Sequence, residues 1–451
     1  MFKNYIKEIN KITNVSPLFY ITYDTNRAIG LEELIRSYHI IDGNFTYTSK
    51  LLQERELFSY TVQQKKHNSY ALFKDKKVEE YIIKNSSKRP YVQFFKPTAA
   101  IEQFAKDAYQ IANANAHIST LIEDKISQYS LLLEHFQEFL PKTIITRLSQ
   151  IDTNSFMGNF DNGVVIQFDR GHAGNNTFFI NNKSDLINFL QDEIINDRKI
   201  KCTELLVGKP LTVNGVATSR GTFVGGLSDQ ITGIKEIKAK QGEACGNNWC
   251  QQTIQDFERK AIVALCEKAG NFIFSKGFRG QFGIDVFVTA EKIYLIEINA
   301  RQTTSTQIYT KLQIENGQIP LSFIHLLEFF GIENTIDISQ YNNENSLPIS
   351  ASSLIIRNNT KNPLRILNSY NGIYDIETIQ KKEDAYAITE LYSLSTALIL
   401  ESLENNIIEP DEEIFKIQVR GSLIDEDNFI DKNILKIVQK VLNITKIITY
   451  E

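Results

Sequence analysis

A chain of 451 residues with a formal net charge of −5 is too long for one hydrophobic core, and at roughly 150 residues per domain it divides into about three units. Acids and bases are interspersed and no block of Lys and Arg stands out, which argues against a nucleic-acid surface. The stretch Met1 to Asn10 is too polar for a signal peptide, and no apolar run approaches the roughly 20 residues of a membrane helix, so a cytoplasmic protein without a membrane partner is expected.

In chain order, Ser16 to Asp24 reads as a buried strand, Leu31 to Tyr38 as a helix, Tyr91 to Phe95 as a strand and Ala99 to Ala112 as a helix. These suit a small α/β domain over residues 1–115. Ile118 to Phe139 carries an apolar stripe (Leu121, Ile122, Ile126, Leu131, Leu132) and predicts one helix, stopped by Pro141. Gly163 to Phe168 is a strand that runs into Asp169 to Thr177, a loop containing Gly171 and Gly174, followed by the strand Phe178 to Ile180. Such a flap can wrap phosphate oxygens with bare backbone N–H groups; the plainer alternative is a hairpin with a loose loop. Lys201 to Gly208, Leu211 to Thr218 and Gly221 to Gly225 are strand-like, and Thr253 to Gly270 predicts a helix with Phe257, Ala261, Ile262, Leu265 and Ala269 on one face.

Leu321 to Phe330 reads as an apolar helix, and the Asn-rich Tyr341 to Asn345 as a linker. Beyond it, Ser350 to Arg357 and Leu364 to Asn368 are strands, and Asn371-Gly372 signals a type I′ turn before Ile373 to Ile376. Helices are expected at about Ala385 to Glu401 and Asn433 to Leu442, which completes an α+β module. Domain boundaries at 1–115, 116–335 (with a flap subdomain at about 160–225) and 346–451 follow. The four cysteines, Cys202, Cys245, Cys250 and Cys266, make no disulfide framework for a chain this size, and Cys245 and Cys250 around Gly-Asn-Asn-Trp fit no zinc spacing. Reduced thiols are expected.

The most informative stretch is Gly280 to Arg301, two strand-like runs around a short polar turn. Period-2 alternation puts Glu297 and Asn299 on one face. If the turn occupies Ala290 to Lys292, Asp285 falls opposite Glu297, and two carboxylates and an amide oxygen converge. Acids that close repel unless a cation sits between them, and all-oxygen ligands suit a hard ion shared with a nucleotide's phosphates, magnesium above all. A hairpin with one solvated face is the alternative reading. Arg301, next to that triad, suits an anionic substrate.

A Lys-bearing helix, a strand leading to a Gly-containing flap, a strand ending in Glu204, and a closing hairpin with Asp285, Glu297-x-Asn299 and Arg301 resemble, in that order, the ATP-grasp superfamily over roughly residues 115–320. The whole chain, with Cys245 to Trp249 and the Asn-Gly-Ile-Tyr374 module, looks most like the pheganomycin-type peptide ligases. The resemblance implies an ATP-grasp fold, mixed α/β and α+β, with an N-terminal α/β (pre-ATP-grasp) domain and a small C-terminal α+β domain. It implies ATP and Mg2+ as cofactors. Asp285, Glu297 and Asn299 would be the metal ligands; Lys125, in Glu123-Asp-Lys125, would reach the nucleotide phosphates, and Arg301 would stand near the transferred phosphoryl group. The loop Arg170 to Thr177, with Gly171, His172, Ala173, Gly174 and Asn175, would close over ATP together with Gln167. Thr203, Glu204, Leu205 and Leu206 would form the adenine hinge and slot. Ser228 and Gln230, with Arg301, would meet the carboxylate substrate, and His172 is one candidate base for the incoming amine.

Two positions depart from the family: Gln167 stands where a lysine is usual, and Pro210 where an acid often holds the ribose. The function implied is ATP-dependent carboxylate–amine ligation through an acyl phosphate, on amino acids or peptides, with a homodimer as one assembly open to it. The alternatives are a non-catalytic nucleotide-binding regulator and an ATP-grasp enzyme with a non-amine acceptor, of carboxylase type.

Overall fold

The computed structural model describes residues 2–64, 68–169, 177–193, 197–250, 254–401, 406–425, 427–443 and 445–447. The N-terminal unit runs α1 (Phe2–Thr13), β1 (Leu18–Thr22), β2 (Tyr38–Asp42), α2 (Tyr47–Glu54), β3 (Ser59–Thr61), α3 (Ser69–Phe73), α4 (Lys76–Lys84), β4 (Tyr91–Phe94), α5 (Ala99–Ala105) and β5 (Gln110–Ile111). Its strands form a parallel sheet ordered β3-β2-β1-β4-β5. β1 and β2 are buried at every position, as strands covered on both faces require. Strand order reverses between β1 and β4, so the loops after them flank a crevice at the carboxyl edge of the sheet.

Two expectations fail in this unit. Leu31 to Ser37 is a run of turns rather than a helix, and Tyr38 opens β2; Leu31 and Ile35 reach the core from those turns at a spacing that mimics a helical face. The helix expected to reach Ala112 stops at Ala105, because Gln110–Ile111 is recruited as an edge strand beside β4.

Next come α6 (Ala116–Glu123), α7 (Lys125–Phe136), β6 (Thr143–Arg147), β7 (Val164–Phe168), β8 (Thr177–Ile180), α8 (Lys183–Glu193) and β9 (Lys199–Glu204). The single helix expected over 118–139 is thus two. Asp124 is extended, ends α6, and caps α7 by accepting from Ser127 N at 2.8 Å, which sets Lys125 at the first position of the new helix. The four strands form an antiparallel sheet ordered β6-β9-β7-β8.

The remainder is β10 (Lys209–Thr218), β11 (Gly221–Thr232), β12 (Ala244–Asn248), α9 (Asp256–Ser275), β13 (Gly280–Val288), β14 (Ile293–Asn299), α10 (Thr306–Glu315), α11 (Leu321–Phe329), α12 (Ile338–Asn345), β15 (Ser352–Arg357), β16 (Leu364–Ile366), β17 (Gly372–Asp375), β18 (Lys381–Glu383), β19 (Thr396–Glu401), β20 (Ile407–Ile408), β21 (Glu413–Val419), α13 (Lys432–Leu442) and β22 (Thr445–Ile447). A ten-stranded sheet, β14-β13-β10-β11-β12-β15-β21-β19-β17-β18, runs without a break from the late hairpin into the C-terminal region. Residues 209–225 therefore lie in this sheet and not in the four-stranded one.

α9 buries Ile262, Val263, Leu265, Cys266 and Ala269 against the back of β10 and β11, whereas Phe257, expected on that face, is 72% exposed and Ala261 is exposed. The expected Asn-rich linker is α12: buried Asn342 accepts from Val224 N at 2.7 Å and donates to Glu267 at 2.6 Å, tying β11 to α9. The expected helix over 385–401 is replaced by turns and β19. Its Ala397 and Ile399 enter one core and Leu398 and Leu400 another, an apolar run that periodicity alone does not distinguish from a helix. Asn371-Gly372 closes no hairpin, since β16 pairs with β20 and β22 while β17 pairs with β18 and β19. Cys202, Cys245 and Cys266 are buried and Cys250 half-buried, all as free thiols, and among the described residues no helix is long and apolar enough to cross a membrane.

Candidate functional site

The late hairpin pairs Asp285 with Glu297 and Gly283 with Asn299. The pairing arises differently from the three-residue turn expected. Val286 faces Leu295 and the ladder tightens to Val288 opposite Ile293, so the turn is the short Ala290-Glu291 and Ile296 is an extra, bulged residue. The bulge matters for burial: Leu295 and Ile298, three apart, both enter the core behind the sheet, and Glu297 is thereby turned to the open face with Asp285 and Asn299.

On that face Asp285 accepts from Thr212 Oγ1 (2.8 Å) and Gln230 Nε2 (2.7 Å) at Oδ1, and from Asn299 Nδ2 (3.0 Å) at Oδ2. Glu297 Oε2 is 2.6 Å from Lys125 Nζ. Arg301 donates to Asn299 Oδ1 (3.1 Å) and to the Gln302 carbonyl (3.2 Å); its Nε lies 3.0 Å from Glu123 Oε1, an ion pair without hydrogen-bond alignment. Lys96, from the loop after β4, contacts the other oxygen of Glu123. Burial, and then the neighbouring Glu297 charge, push the Asp285 carboxyl up to about 6. Burial also works against Glu297, but Lys125, Lys201 and Arg301 together hold it below its ordinary value. Among the described residues no three His, Cys, Asp or Glu side chains cluster; the third oxygen here is an amide, and two acids with an amide suit a hard divalent cation better than zinc.

Gln128, one turn into α7, fixes this arrangement. β14 is an edge strand, and Gln128 completes its outer side by accepting from Ile298 N (3.0 Å) and donating to Ile298 O (2.7 Å), with a second donation to Ile122 O (2.5 Å). The helix start that presents Lys125 is thereby locked to the strand that presents Glu297.

The four-stranded sheet turns a second polar face to the cleft. Ile166 and Cys202 point into its core, so Gln167 and Lys201, directly paired across β7 and β9, share the opposite face with the paired Val165 and Thr203. Gln167 donates to Thr177 Oγ1 at 3.3 Å. Lys201 is 6% exposed; burial and then the Lys125 charge bring it down to about 8.

From Asp285 the polar face continues across the large sheet. Thr212 pairs with Ser228, Gln230 with Asn247, Asn247 with Ser353 and Ser353 with Gln418. Asn247 donates to Ser228 Oγ at 2.9 Å, while Gln418, 3% exposed, leaves its Oε1 without a partner. Opposite this row stand the N-terminal unit's Arg27 and Lys96: Arg27 and Arg301 both approach the Phe95 ring, at 4.2 and 5.6 Å, and Lys416 is 3.6 Å from Asp24.

Residues 122–305 match the family model described as the ATP-grasp domain. The chain carries an ATP-grasp domain. Solved structures with the same fold include a carboxyaminoimidazole ribonucleotide synthase from Aspergillus clavatus complexed with ATP (13% identity, 96% of this chain and 99% of that one, TM-score 0.58). Others are the biotin carboxylase domain of the Hydrogenobacter thermophilus 2-oxoglutarate carboxylase, with MgADP, ADP and bicarbonate (11%, 96% and 90%, TM-score 0.60), and a phosphoribosylamine–glycine ligase from Thermotoga maritima (12%, 96% and 97%, TM-score 0.58). A search of curated proteins gave no sequence match.

Within the ATP-grasp domain, Lys125, Asp285, Glu297, Asn299, Arg301 and Gln230 come together, with Ser228 further along the same row. Arg170, Gly171, His172, Ala173, Gly174 and Asn175 lie outside the described residues. At the hinge, Glu204 N donates to Lys142 O (2.9 Å) and Leu205 N to Gly163 O (3.0 Å), while Leu206 N donates to no group among the described residues. Thr203 Oγ1 lies 3.2 Å from Thr143 Oγ1. Pro210 pairs with Phe287, two residues beyond Asp285 on the open face, and Gly208 runs so close to Val288 and Phe287 that a Cβ there would overlap the Val288 carbonyl. The sequence reading missed Gln128, Thr212, Phe287 and Lys201. For Lys201 a signal existed: Lys-Ile-Lys-Cys-Thr-Glu alternates strictly, so a cation recurs on the polar face of a strand whose other face is apolar.

Proposed function

We propose that the protein is an ATP-dependent ligase that joins a carboxylate to an amine through an acyl phosphate, acting in the cytoplasm on amino-acid or peptide substrates in the manner of the pheganomycin-type peptide ligases. The observation that carries this reading is the convergence of Asp285, Glu297, Asn299, Lys125 and Arg301 on one face of the hairpin closing an ATP-grasp domain. ATP, ADP and magnesium named with the solved structures of this fold support ATP as cosubstrate and magnesium as the ion held by Asp285, Glu297 and Asn299. Magnesium there supplies charge neutralisation between carboxylates and phosphates.

A carboxylate is a poor electrophile, and its activation places anion against anion, so the protein's task is to position and to neutralise. In the first step a carboxylate oxygen bonds to the γ-phosphorus of ATP as the bond to ADP breaks; Lys125 and Arg301 stand where that charge gathers. In the second the amine attacks the acyl carbon, phosphate leaves and the nitrogen gives up a proton. Arg27, Lys96 and Arg301 around Phe95 suit an anionic substrate group, and the neutral row from Gln230 to Gln418 suits amide-bearing or zwitterionic substrates, which need paired donors and acceptors. The test is ADP release with panels of amino acids and short peptides, read together with the mass of the product. ADP formed only when acid and amine are both present, with a product one water lighter than their sum, supports the ligase. Bicarbonate-dependent release supports the carboxylase-type alternative, and nucleotide binding without turnover supports the regulator.

A further inference from the structure

We infer that Lys201 contacts the nucleotide's phosphates from β9 and supplies the positive charge that Gln167, its direct partner on β7, lacks. The inference rests on the ATP reading of this cleft and deepens it.

Among the described residues Lys201 is a buried cation without a counterion. It is 94% buried by its 6% exposure, yet among the described residues no carboxylate lies within ion-pair distance of its ammonium and no acceptor is hydrogen-bonded to it; the aromatic ring recorded beside it is Tyr129, at 6.0 Å. Lysines are almost never this buried unless paired. The acid whose charge reaches it, Glu297, is already taken by Lys125 at 2.6 Å, and the approach of Lys125 makes the surroundings of Lys201 more positive. Two ammonium groups converging on one carboxylate leave an excess of positive charge, which a polyanion neutralises.

Geometry selects the phosphates over the base. Register places Lys201 opposite Gln167, at the end of β7 that leads into the Gly-containing loop, whereas the hinge at Leu205 and Leu206 lies beyond the other end of β9's pairing with β7. The Lys201 side chain shares its face with Gln167 because Cys202 and Ile166, one residue along, both enter the core. A lysine at either member of a directly opposed pair delivers its ammonium to nearly the same region, since paired Cβ atoms are about 5 Å apart and the side chain is longer than that. The charge has moved one strand sideways.

The experiment compares the affinities of MgATP and AMP for the full chain, for Lys201→Gln and for the swap Gln167→Lys/Lys201→Gln, with thermal unfolding of each in the absence of nucleotide. Lys201→Gln is expected to weaken MgATP by about 10- to 100-fold, the loss of a charge-assisted contact, while AMP changes less than about 2-fold. The swap is expected to restore MgATP to within about 3-fold, and nucleotide-free Lys201→Gln to melt no lower than the parent, because it removes a buried charge that has no partner. Equal losses for MgATP and AMP, an unchanged MgATP affinity, a swap that restores nothing, or a nucleotide-free variant that melts well below the parent would each overturn the inference. A parent chain that binds no nucleotide overturns the ATP reading itself, a different failure.

Discussion

Replacing Asp285 with Asn should stabilise the nucleotide-free protein while abolishing its magnesium-dependent chemistry. Burial and the neighbouring Glu297 raise the Asp285 carboxyl from 3.8 to about 6. That is roughly two pH units, or ~3 kcal/mol of penalty on the ionised form at neutral pH, at about 1.4 kcal/mol per unit. Asn carries no charge but offers one oxygen where Asp285 uses two to accept from Thr212, Gln230 and Asn299, and the lost hydrogen bond costs about 1 kcal/mol. The balance is a gain of ~2 kcal/mol at about pH 8. Because the folded-state pKa is raised, the parent's penalty is absent below the ordinary carboxylate range, grows as pH climbs from about 4, and is complete above about 6. The advantage of D285N should follow the same course. The buried Trp249, the chain's single tryptophan, gives a fluorescence readout for chemical unfolding across that range. MgATP should then reverse the order, stabilising the parent by mass action and leaving D285N behind. An advantage that is flat with pH, or a variant less stable at about pH 8, would refute the reasoning.

Glu297→Gln should move the other way in the same assay: it strands Lys125, whose side chain is 9% exposed, between a neutral amide and Lys201, at a cost of ~3 kcal/mol. A variant as stable as the parent would show that Lys125 finds another partner. Gln128→Leu should cost ~3 kcal/mol, because the Ile298 N–H and C=O lose their partner, and should weaken MgATP binding although Gln128 touches no ligand; calorimetry on the variant checks both. Arg301→Lys should leave MgATP affinity within a few-fold and cut turnover by about 100-fold, since a single ammonium cannot reproduce the three-partner fork. Steady-state kinetics separates the two effects.

The carboxylate pairing of Asp285 and Glu297 was legible because two signals agreed, alternation along each run and a polar turn between them. The bulge at Ile296 was not: an extra residue compensates for a shorter turn, and the sequence contains both solutions. Lys125 was legible only through the resemblance of Glu123-Asp-Lys125 to the family's pattern, because the break at Asp124 that sets it at a helix start was hidden inside a continuous apolar stripe. Gln128 and Lys201 were missed for a different reason. Each acts through an element distant in sequence, Ile298 for one and Gln167 for the other; nothing local marks Gln128, and the alternation of β9 marks Lys201 as a polar-face cation without naming the strand it faces. The strand at 396–401 failed where local signals are weakest, because a short run buried on both sides looks the same as a buried helix.

The chain enters the smaller sheet of the ATP-grasp domain from α7, through 137–142, and leaves it for β10 of the larger sheet through 205–208. Gln167 and Lys201 thus belong to the smaller sheet and Asp285 and Glu297 to the ten-stranded frame, and the two bodies also touch directly, Lys125 N donating to Asp169 O at 3.1 Å. On the proposed reading, a triphosphate lying between them is a clasp gripped from both bodies, by Lys201 of one and by the ion that Asp285 and Glu297 of the other would hold.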